Sequence, residues 1–376
     1  MSFGGSRHRD HWLHDNSPDL DIPGRNSAGF YLTPKVLPGQ RFLPGTRYLR
    51  LLKCGEPLSP EGVPSHADTL AHRTIQLKEG CSFPLSAKVD SPQLHEIMDR
   101  ITIGNVEITA LSDGLLEFDR CNFFPAVPRE NWRSYRDHLS PEGNVSLNVA
   151  SYLIRSGGRN ILVDTGLGPK PADAPEATWG ELMHDFQAHA LSPDDVDLVV
   201  MTHLHRDHVG WNLLSQNGKY VPTFPNARYY LSRTDWDACH NPDLVATRFP
   251  NAPDCIWPLA EMGLIEFMEG EYSLTSELTT IPTPGHTPGH MSIMISSQGQ
   301  HGLVLGDVLH NTAQIHEVDW CSRADIDPAL AGATRRWLVD RMEQEELTVA
   351  AVHLPRPGFG RIVRREGRRY WQSLSI

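Results

Sequence analysis

The segment Val199-Val200-Met201-Thr202-His203-Leu204-His205-Arg206-Asp207-His208-Val209-Gly210 places three imidazoles and a carboxylate within six residues, directly behind a β-branched apolar run. Imidazole nitrogen and carboxylate oxygen are the donors that borderline divalent ions such as zinc favour. Val196, Val199 and Val200 predict a buried strand that stops where the donors begin. In extended backbone His203 and His205 point to one side, because side-chain direction repeats every two residues. Asp207 and His208 then fall in the turn that follows. With 19 histidines in 376 residues some chance pairs are expected on the surface. Four donors in six positions behind a strand read instead as a metal site.

Four donors in one loop cannot surround two metals, so further donors have to come from elsewhere. Three segments offer them. In Thr283-Pro284-Gly285-His286-Thr287-Pro288-Gly289-His290, proline and glycine on both sides predict a rigid turn that presents His286 at its lip. His290 is read as a hydrogen-bonding residue of that turn, not as a ligand. Leu303-Val304-Leu305-Gly306-Asp307 is an apolar strand that ends in a carboxylate, costly to bury unless paired or bound to a metal. In Val349-Ala350-Ala351-Val352-His353-Leu354-Pro355 a histidine again ends an apolar strand. Taken singly, each could be a turn residue or a satisfied core histidine. Their shared position raises them together, since strand ends on one edge of a sheet converge.

Around these motifs the chain has two textures. Residues 1–98 are irregular, punctuated by Pro34, Pro38, Pro44, Pro57, Pro60 and Pro64, with short apolar pieces at 48–52 and 74–77. They read as an arm packed over the main domain or a neighbouring subunit, which makes a homodimer through that arm an expectation. Residues 99–376 read as the folded domain. A hairpin is predicted over Ile101–Leu111 around Gly104-Asn105, then strands at 148–154 and 160–163 around Gly157-Gly158. Helical spacing is predicted over 179–191, and over 328–344 with Leu330, Ala333, Trp337, Leu338 and Met342 on the apolar face. Further strands are expected at 227–231, 278–281, 291–295, 303–305 and 349–352. That order suits an α+β domain of antiparallel sheets with helices outside.

The pattern His203-x-His205-x-Asp207-His208, followed by His286, Asp307 and His353, resembles the metallo-β-lactamase-fold hydrolases. Asp113-Gly114 and Val163-Asp164-Thr165-Gly166 are similar to that superfamily too, and the resemblance spans about residues 101–376. It implies a sandwich of two mixed β-sheets flanked by helices, an αββα arrangement. It also implies that His203, His205 and His286 hold one metal, that Asp207, His208 and His353 hold another, and that Asp307 bridges them. Two divalent ions roughly 3.5–4 Å apart can share and deprotonate one water, yielding a bridging hydroxide that attacks a carbonyl or phosphoryl centre. Asp207 would then serve as ligand and as catalytic acid/base. Asp164 either orients a ligand histidine or is the turn residue of Asp-Thr-Gly. The His/Asp set suits zinc, with manganese, iron and cobalt compatible.

Within the superfamily, Gly306-Asp307-Val308-Leu309-His310 and His353-Leu354-Pro355-x-Pro357-Gly358 look closest to methyl parathion hydrolase-like and lactonase members. Many N-acyl homoserine lactonases carry a tyrosine three residues after the bridging aspartate; here that position is His310, a candidate catalytic donor to the leaving oxygen. Phe123, Phe124, Trp211, Trp257 and Trp320 could wall an apolar pocket suited to a neutral, partly apolar small molecule. The expected activity is hydrolysis of a small ester or lactone, with phosphotriester hydrolysis as a side or main activity. A mononuclear iron dioxygenase on this fold uses fewer ligands, and a non-catalytic scaffold would shed them, so the full set speaks against both.

Composition narrows the partners. A formal charge of −12 argues against a nucleic-acid surface. No apolar run approaches the ~20 residues of a membrane span. Mean hydropathy is −0.37, and the polar start lacks the apolar stretch of a secretory signal. The six cysteines have no C-x-x-C spacing and read as free thiols, so a cytoplasmic location is expected.

Overall fold

The computed structural model describes residues 99–170 and 180–374. The expectations for residues 1–98, both the arm and its dimer contact, lie outside the described residues.

The first sheet opens with β1 (Arg100–Ile103), β2 (Val106–Asp119), β3 (Asn144–Ser156), β4 (Arg159–Val163) and β5 (Leu198–Val200). A separate hairpin, β6 (Leu213–Gln216) and β7 (Lys219–Pro222), precedes β8 (Arg228–Ser232) and β9 (Ile265–Met268), which complete it in the order β1-β2-β3-β4-β5-β8-β9. The second sheet runs in chain order through β10 (Tyr272–Ser273), β11 (Leu278–Pro282), β12 (Met291–Ser297), β13 (Gln300–Val304), β14 (Thr348–Ala350), β15 (Phe359–Arg365) and β16 (Arg368–Ser373).

Alternating side chains let each sheet bury one face against the other and the opposite face under helices. Ile108, Ile154, Ile161, Val163 and Val200 of the first sheet share one apolar cluster with Leu278, Ile293, Ile295 and Val304 of the second. On the outer face of the first sheet, Leu162, Val199 and Tyr229 pack against Leu182 and Phe186 and against Ala238, Cys239 and Leu259. Leu303, Val349 and Ile362 of the second sheet pack under Leu338, Val339 and Met342 of the helix Pro328–Gln344. The layers are therefore helix, sheet, sheet, helix: the αββα sandwich.

Three expectations need correction. The antiparallel sheets read from element order are in fact mixed, as the resemblance implies, because β4, β5, β8 and β9 pair in parallel, as do β13 and β14. Parallel neighbours require long crossovers, and the β13–β14 connection carries the helix 328–344. The helix expected over 179–191 is confined to Leu182–Ala188, and Ala190 takes a left-handed φ of 55°. The helix Pro328–Gln344 has the expected bounds but a different inner face. Leu330 and Trp337 are exposed, whereas Ala331, Thr334, Arg335, Leu338, Val339 and Met342 are buried.

Candidate metal centre

Several strands end at one edge of the sandwich, and each hands over a polar residue there. β4 runs into Asp164, β5 into Thr202 and His203, β13 into Asp307, and β14 into His353. His205 caps the short helix Arg206–Val209, which carries Asp207 and His208. His286 sits in the turn between β11 and β12, where Gly285 has a φ of 126° and a Cβ would lie 2.2 Å from the backbone nitrogen of Ala331. Only glycine fits there, so the turn is pinned against the helix 328–344.

The donor atoms converge as two triads. His203, His205 and His286 form one group, and Asp207, His208 and His353 the other, with donor atoms within 4.8 Å of one another in each. His205 Nδ1 lies 2.9 Å from His286 Nε2. Asp207 Oδ2 lies 3.5 Å from His353 Nε2, and its Oδ1 lies 3.8 Å from His208 Nε2. Asp307 stands between the triads. Its Oδ1 is 3.2 Å from His208 Nε2, while its Oδ2 is 3.0 Å from His353 Nε2, 3.2 Å from His286 Nε2 and 3.8 Å from His203 Nε2. The sequence-predicted ligands are thus brought together.

The donor set fits divalent cations on its own chemistry. Asp307 is only 3% exposed, and its Oδ1 together with His203 Nε2 and His208 Nε2 has no hydrogen-bond partner among the described residues. Buried polar atoms left unmatched are expensive unless something binds them. Burial first, then the neighbouring His208, hold His203 well below the usual histidine range, and burial with His286 does the same to His205. Both are therefore the neutral imidazoles that a ligand must be. Burial would also depress His208, but Asp307, Asp164 and Asp207 outweigh it and raise that ring well above its ordinary value. Asp307 is itself held far down despite burial, by His208 and His353 before the others. The carboxylate of Asp307 and the rings around it are thus tightly coupled at the point where the two triads meet.

A set of outer partners aims the rings. His208 Nδ1 donates to Asp164 Oδ2 at 2.8 Å, and Asp164 is fixed by the Thr202 backbone N–H and hydroxyl, both at 2.8 Å. His286 Nδ1 donates to Asp325 Oδ1 at 2.8 Å, and His353 Nδ1 to the Asn148 carbonyl at 2.8 Å. With Nδ1 held by an acceptor, Nε2 of each ring is turned to the centre, the usual way a metal-binding histidine is oriented. Of the two readings of Asp164, orientation of a ligand histidine is the one its contacts match. His290 is no ligand: its Nε2 accepts the Asp307 backbone N–H at 2.9 Å and its Nδ1 lies 2.8 Å from Thr283 Oγ1.

His310 reaches the same floor. It is 1% exposed, its Nε2 lies 3.3 Å from Asp307 Oδ2, and neither ring nitrogen has a hydrogen-bond partner among the described residues. A cleft of about 440 Å³ opens above it, lined by His310, His353, Asn148 and Leu354 and by the more open Leu115, Glu117, Asp137, Leu139 and Pro141. The five aromatics expected to wall the pocket do not line it. Phe123 touches the centre edge-on through His310 at 5.5 Å. Phe124 and Trp320 pack on Trp132, Trp211 donates its indole N–H to Asp113, and Trp257 stacks on His240. Aliphatic residues and prolines supply the apolar wall instead.

Sequence reading missed three supports: Asp325, Arg335, and Asp235. The last accepts from the Thr287 hydroxyl at 2.7 Å and the Gly289 N–H at 2.6 Å, fixing the turn that bears His286. All three are lone residues in a loop or helix, with no local motif to flag them. Among the described residues no helix is long and apolar enough to cross a membrane.

Comparison with known proteins agrees with this geometry. The pattern of the metallo-beta-lactamase superfamily matches residues 146–353, more than half of the chain. The N-acyl homoserine lactonase of Bacillus thuringiensis is 26% identical over 229 residues, covering 57% of this chain and 84% of that protein. Among solved structures, the dizinc quorum-quenching lactonase AidC superposes with a TM-score of 0.63 at 23% identity, over 74% of this chain and 97% of that one. The hydrolase AbOPH of the beta lactamase superfamily superposes with the same TM-score of 0.63 at 26% identity, also over 74% and 97%. Fold, donor set and sequence pattern together make this chain a member of the metallo-beta-lactamase superfamily and a metal-dependent hydrolase.

Proposed function

We propose that the chain opens lactones, with N-acyl homoserine lactones the first class to test, at a centre of two divalent ions, zinc foremost. The observation that carries this reading is the pair of donor triads flanking Asp307, one of whose members, His353, lines the 440 Å³ cleft beside His310. Support comes also from the lactonase relatives in Bacillus species. His203, His205 and His286 would hold one ion, Asp207, His208 and His353 the other, and Asp307 both. When bound, such a pair supplies a nucleophile at neutral pH and polarises the carbonyl oxygen.

The chain's own residues do the rest. Leu115, Leu139, Pro141 and Leu354 hold an apolar acyl group and limit water in the cleft. Asp207, partly exposed beside His353, accepts the proton released on attack and returns it to the ring oxygen as it leaves. His310, whose Nε2 lies 3.3 Å from Asp307 Oδ2 and whose ring nitrogens make no hydrogen bond among the described residues, directs a ring N–H toward an oxygen of the substrate. Asp164, Asp325 and the Asn148 carbonyl keep the imidazoles aimed throughout. On this reading residues 1–98 are an N-terminal extension or arm and residues 99–376 the hydrolase domain.

The test is a substrate panel with metal content measured on the same sample. Acyl homoserine lactones should be cleaved, chelation should abolish turnover, and zinc should restore it with two ions per chain. A preference for phosphotriesters such as paraoxon would move the main activity to the phosphoryl class. One iron per chain with oxygen uptake would overturn the hydrolase assignment of the centre. For His310 the expected result is specific: His310→Ala lowers kcat about 10²-fold or more with both ions retained. His310→Tyr, which keeps a donor, recovers much of that loss. Equal activity in His310→Ala and the parent would remove His310 from the reaction.

A further inference from the structure

Arg335 lies on the inward face of the helix Pro328–Gln344 and is 1% exposed. A guanidinium taken out of water has to satisfy its N–H groups internally. Its Nε donates to the Val308 carbonyl at 2.8 Å, Nη1 to the Val318 carbonyl at 2.9 Å, and Nη2 to Asp325 Oδ2 at 3.2 Å. Asp325 gives its other oxygen to His286 Nδ1 at 2.8 Å, and Oδ2 also takes the Ser322 N–H at 3.0 Å. Val308 follows Asp307 directly in the chain. One buried cation is therefore bonded both to the backbone beside the central carboxylate and to the carboxylate that aims His286.

We propose that Arg335 is a positioning residue for the metal centre. It holds Asp325 in the rotamer that fixes the His286 ring and ties that support to the Gly306–Val308 turn bearing Asp307. The inference rests on the reading of the centre given above. The clamp needs a planar fork, because its three acceptors lie in different directions around one group; an ammonium cannot reproduce it. Asp325 is 3% exposed and both of its oxygens are engaged, Oδ1 by His286 and Oδ2 by the Ser322 N–H and Arg335. It stays an acceptor toward His286 Nδ1, which keeps the Nε2 lone pair turned to the centre.

The experiment compares the full-length protein with Arg335→Met, Arg335→Lys, Asp325→Asn and the double variant Asp325→Asn/Arg335→Met. Zinc affinity is read by competition with a chromogenic chelator, beside zinc content and near-UV circular dichroism. Each single change is expected to weaken zinc binding by about 10–100-fold, the usual cost of losing such an outer partner. The lysine variant should fall with methionine and not recover. The double variant should bind no more weakly than the worse single, because both act along one path. If Arg335→Met does not fold, the lysine and asparagine variants carry the same comparison. Unchanged affinity in the Arg335 variants, or additive losses in the double, overturns the proposal. Fewer than two ions on the parent protein would count against the two-ion reading, while the role of Arg335 would still be read from the ion bound at His286.

Discussion

Asp307→Ala is expected to cost at least about 10³-fold in kcat/KM, close to 4 kcal/mol of transition-state stabilisation, and to strip zinc from the protein. The reason is positional. Asp307 is the carboxylate within 3.2 Å of ring nitrogens from both triads, reaching His208 through one oxygen and His286 and His353 through the other. Without it the two triads face each other as imidazoles plus the single carboxylate of Asp207, and nothing offsets the mutual repulsion of two divalent charges. Asp307→Asn separates shape from charge: it preserves the volume and one acceptor oxygen but supplies no negative charge to share. Its expected state is at most one ion per chain and activity near that of the alanine variant. Zinc content and turnover measured together decide the matter. Two ions and parental turnover in Asp307→Asn would show that the carboxylate does not bridge. The fold itself should survive both changes, since the αββα cores lie under the strands and not at their ends.

What was legible in the sequence is what the chain writes locally. A β-branched run followed by donors needs only a few residues to declare itself, which is why β5 with His203–His208 and β13 with Asp307 could be read directly. The αββα layering followed from the resemblance that those motifs carry, not from periodicity. Sheet direction was legible only through that resemblance, not from the strands themselves. A three-residue strand such as Leu198–Val200, buried on both faces, looks the same whether its neighbours run with it or against it. The aromatics misled for an ordinary reason: Phe123 and Phe124 are almost wholly buried, and large apolar rings gain more in a core than along a wet cleft.

The phase of the helix 328–344 shows the limit most clearly. Apolar spacing selects Leu330, Ala333, Trp337, Leu338 and Met342 and does not single out Arg335. The buried face instead takes Arg335 inside, because three acceptors wait there, and leaves Leu330 and Trp337 exposed. A buried arginine contradicts hydrophobic patterning whenever its partners lie far away in sequence. Val308, Val318 and Asp325 could not be identified as partners before the fold was known. Supports of the centre were hidden for the same reason that its ligands were visible: the ligands cluster at strand ends, while the supports are single residues on other elements.

Gly210→Ala is expected to destabilise the domain by about 3 kcal/mol or more and to weaken zinc binding as well, although Gly210 touches no ion. Its φ of −65° is open to any residue, so backbone freedom is not the issue. Space is. A Cβ at 210 would lie 2.0 Å from the Leu167 carbonyl carbon, 2.1 Å from its oxygen and 2.3 Å from the Gly168 nitrogen, all backbone atoms that cannot rotate away. Gly168 meets the Gly210 carbonyl oxygen in the same way, at 2.6 Å from its own would-be Cβ. Two glycines thus let the turn after β4 press directly on the end of the helix Arg206–Val209. The contact is laced by Thr165 N–H to the His208 carbonyl at 2.8 Å, Gly210 N–H to the Gly166 carbonyl at 2.7 Å and Trp211 N–H to the Thr165 carbonyl at 3.0 Å. A methyl group has to push these segments apart by roughly 1 Å, at an overpacking cost of about 1–3 kcal/mol. Each hydrogen bond broken adds about 1 kcal/mol. Asp164 begins the displaced turn, so its 2.8 Å bond to His208 Nδ1 is strained with it, at an expected 10–100-fold in zinc affinity. At about 2–4 °C per kcal/mol, Tm should fall by roughly 6–12 °C. Gly332→Ala is the matched control: it lies inside the helix 328–344, meets nothing closer than 3.7 Å, and should raise stability by about 0.5–1 kcal/mol. Parallel thermal melts and zinc titrations on the two variants test the contact, and a Gly210→Ala protein as stable and as tight for zinc as its parent would dissolve the link between this glycine pair and the metal centre.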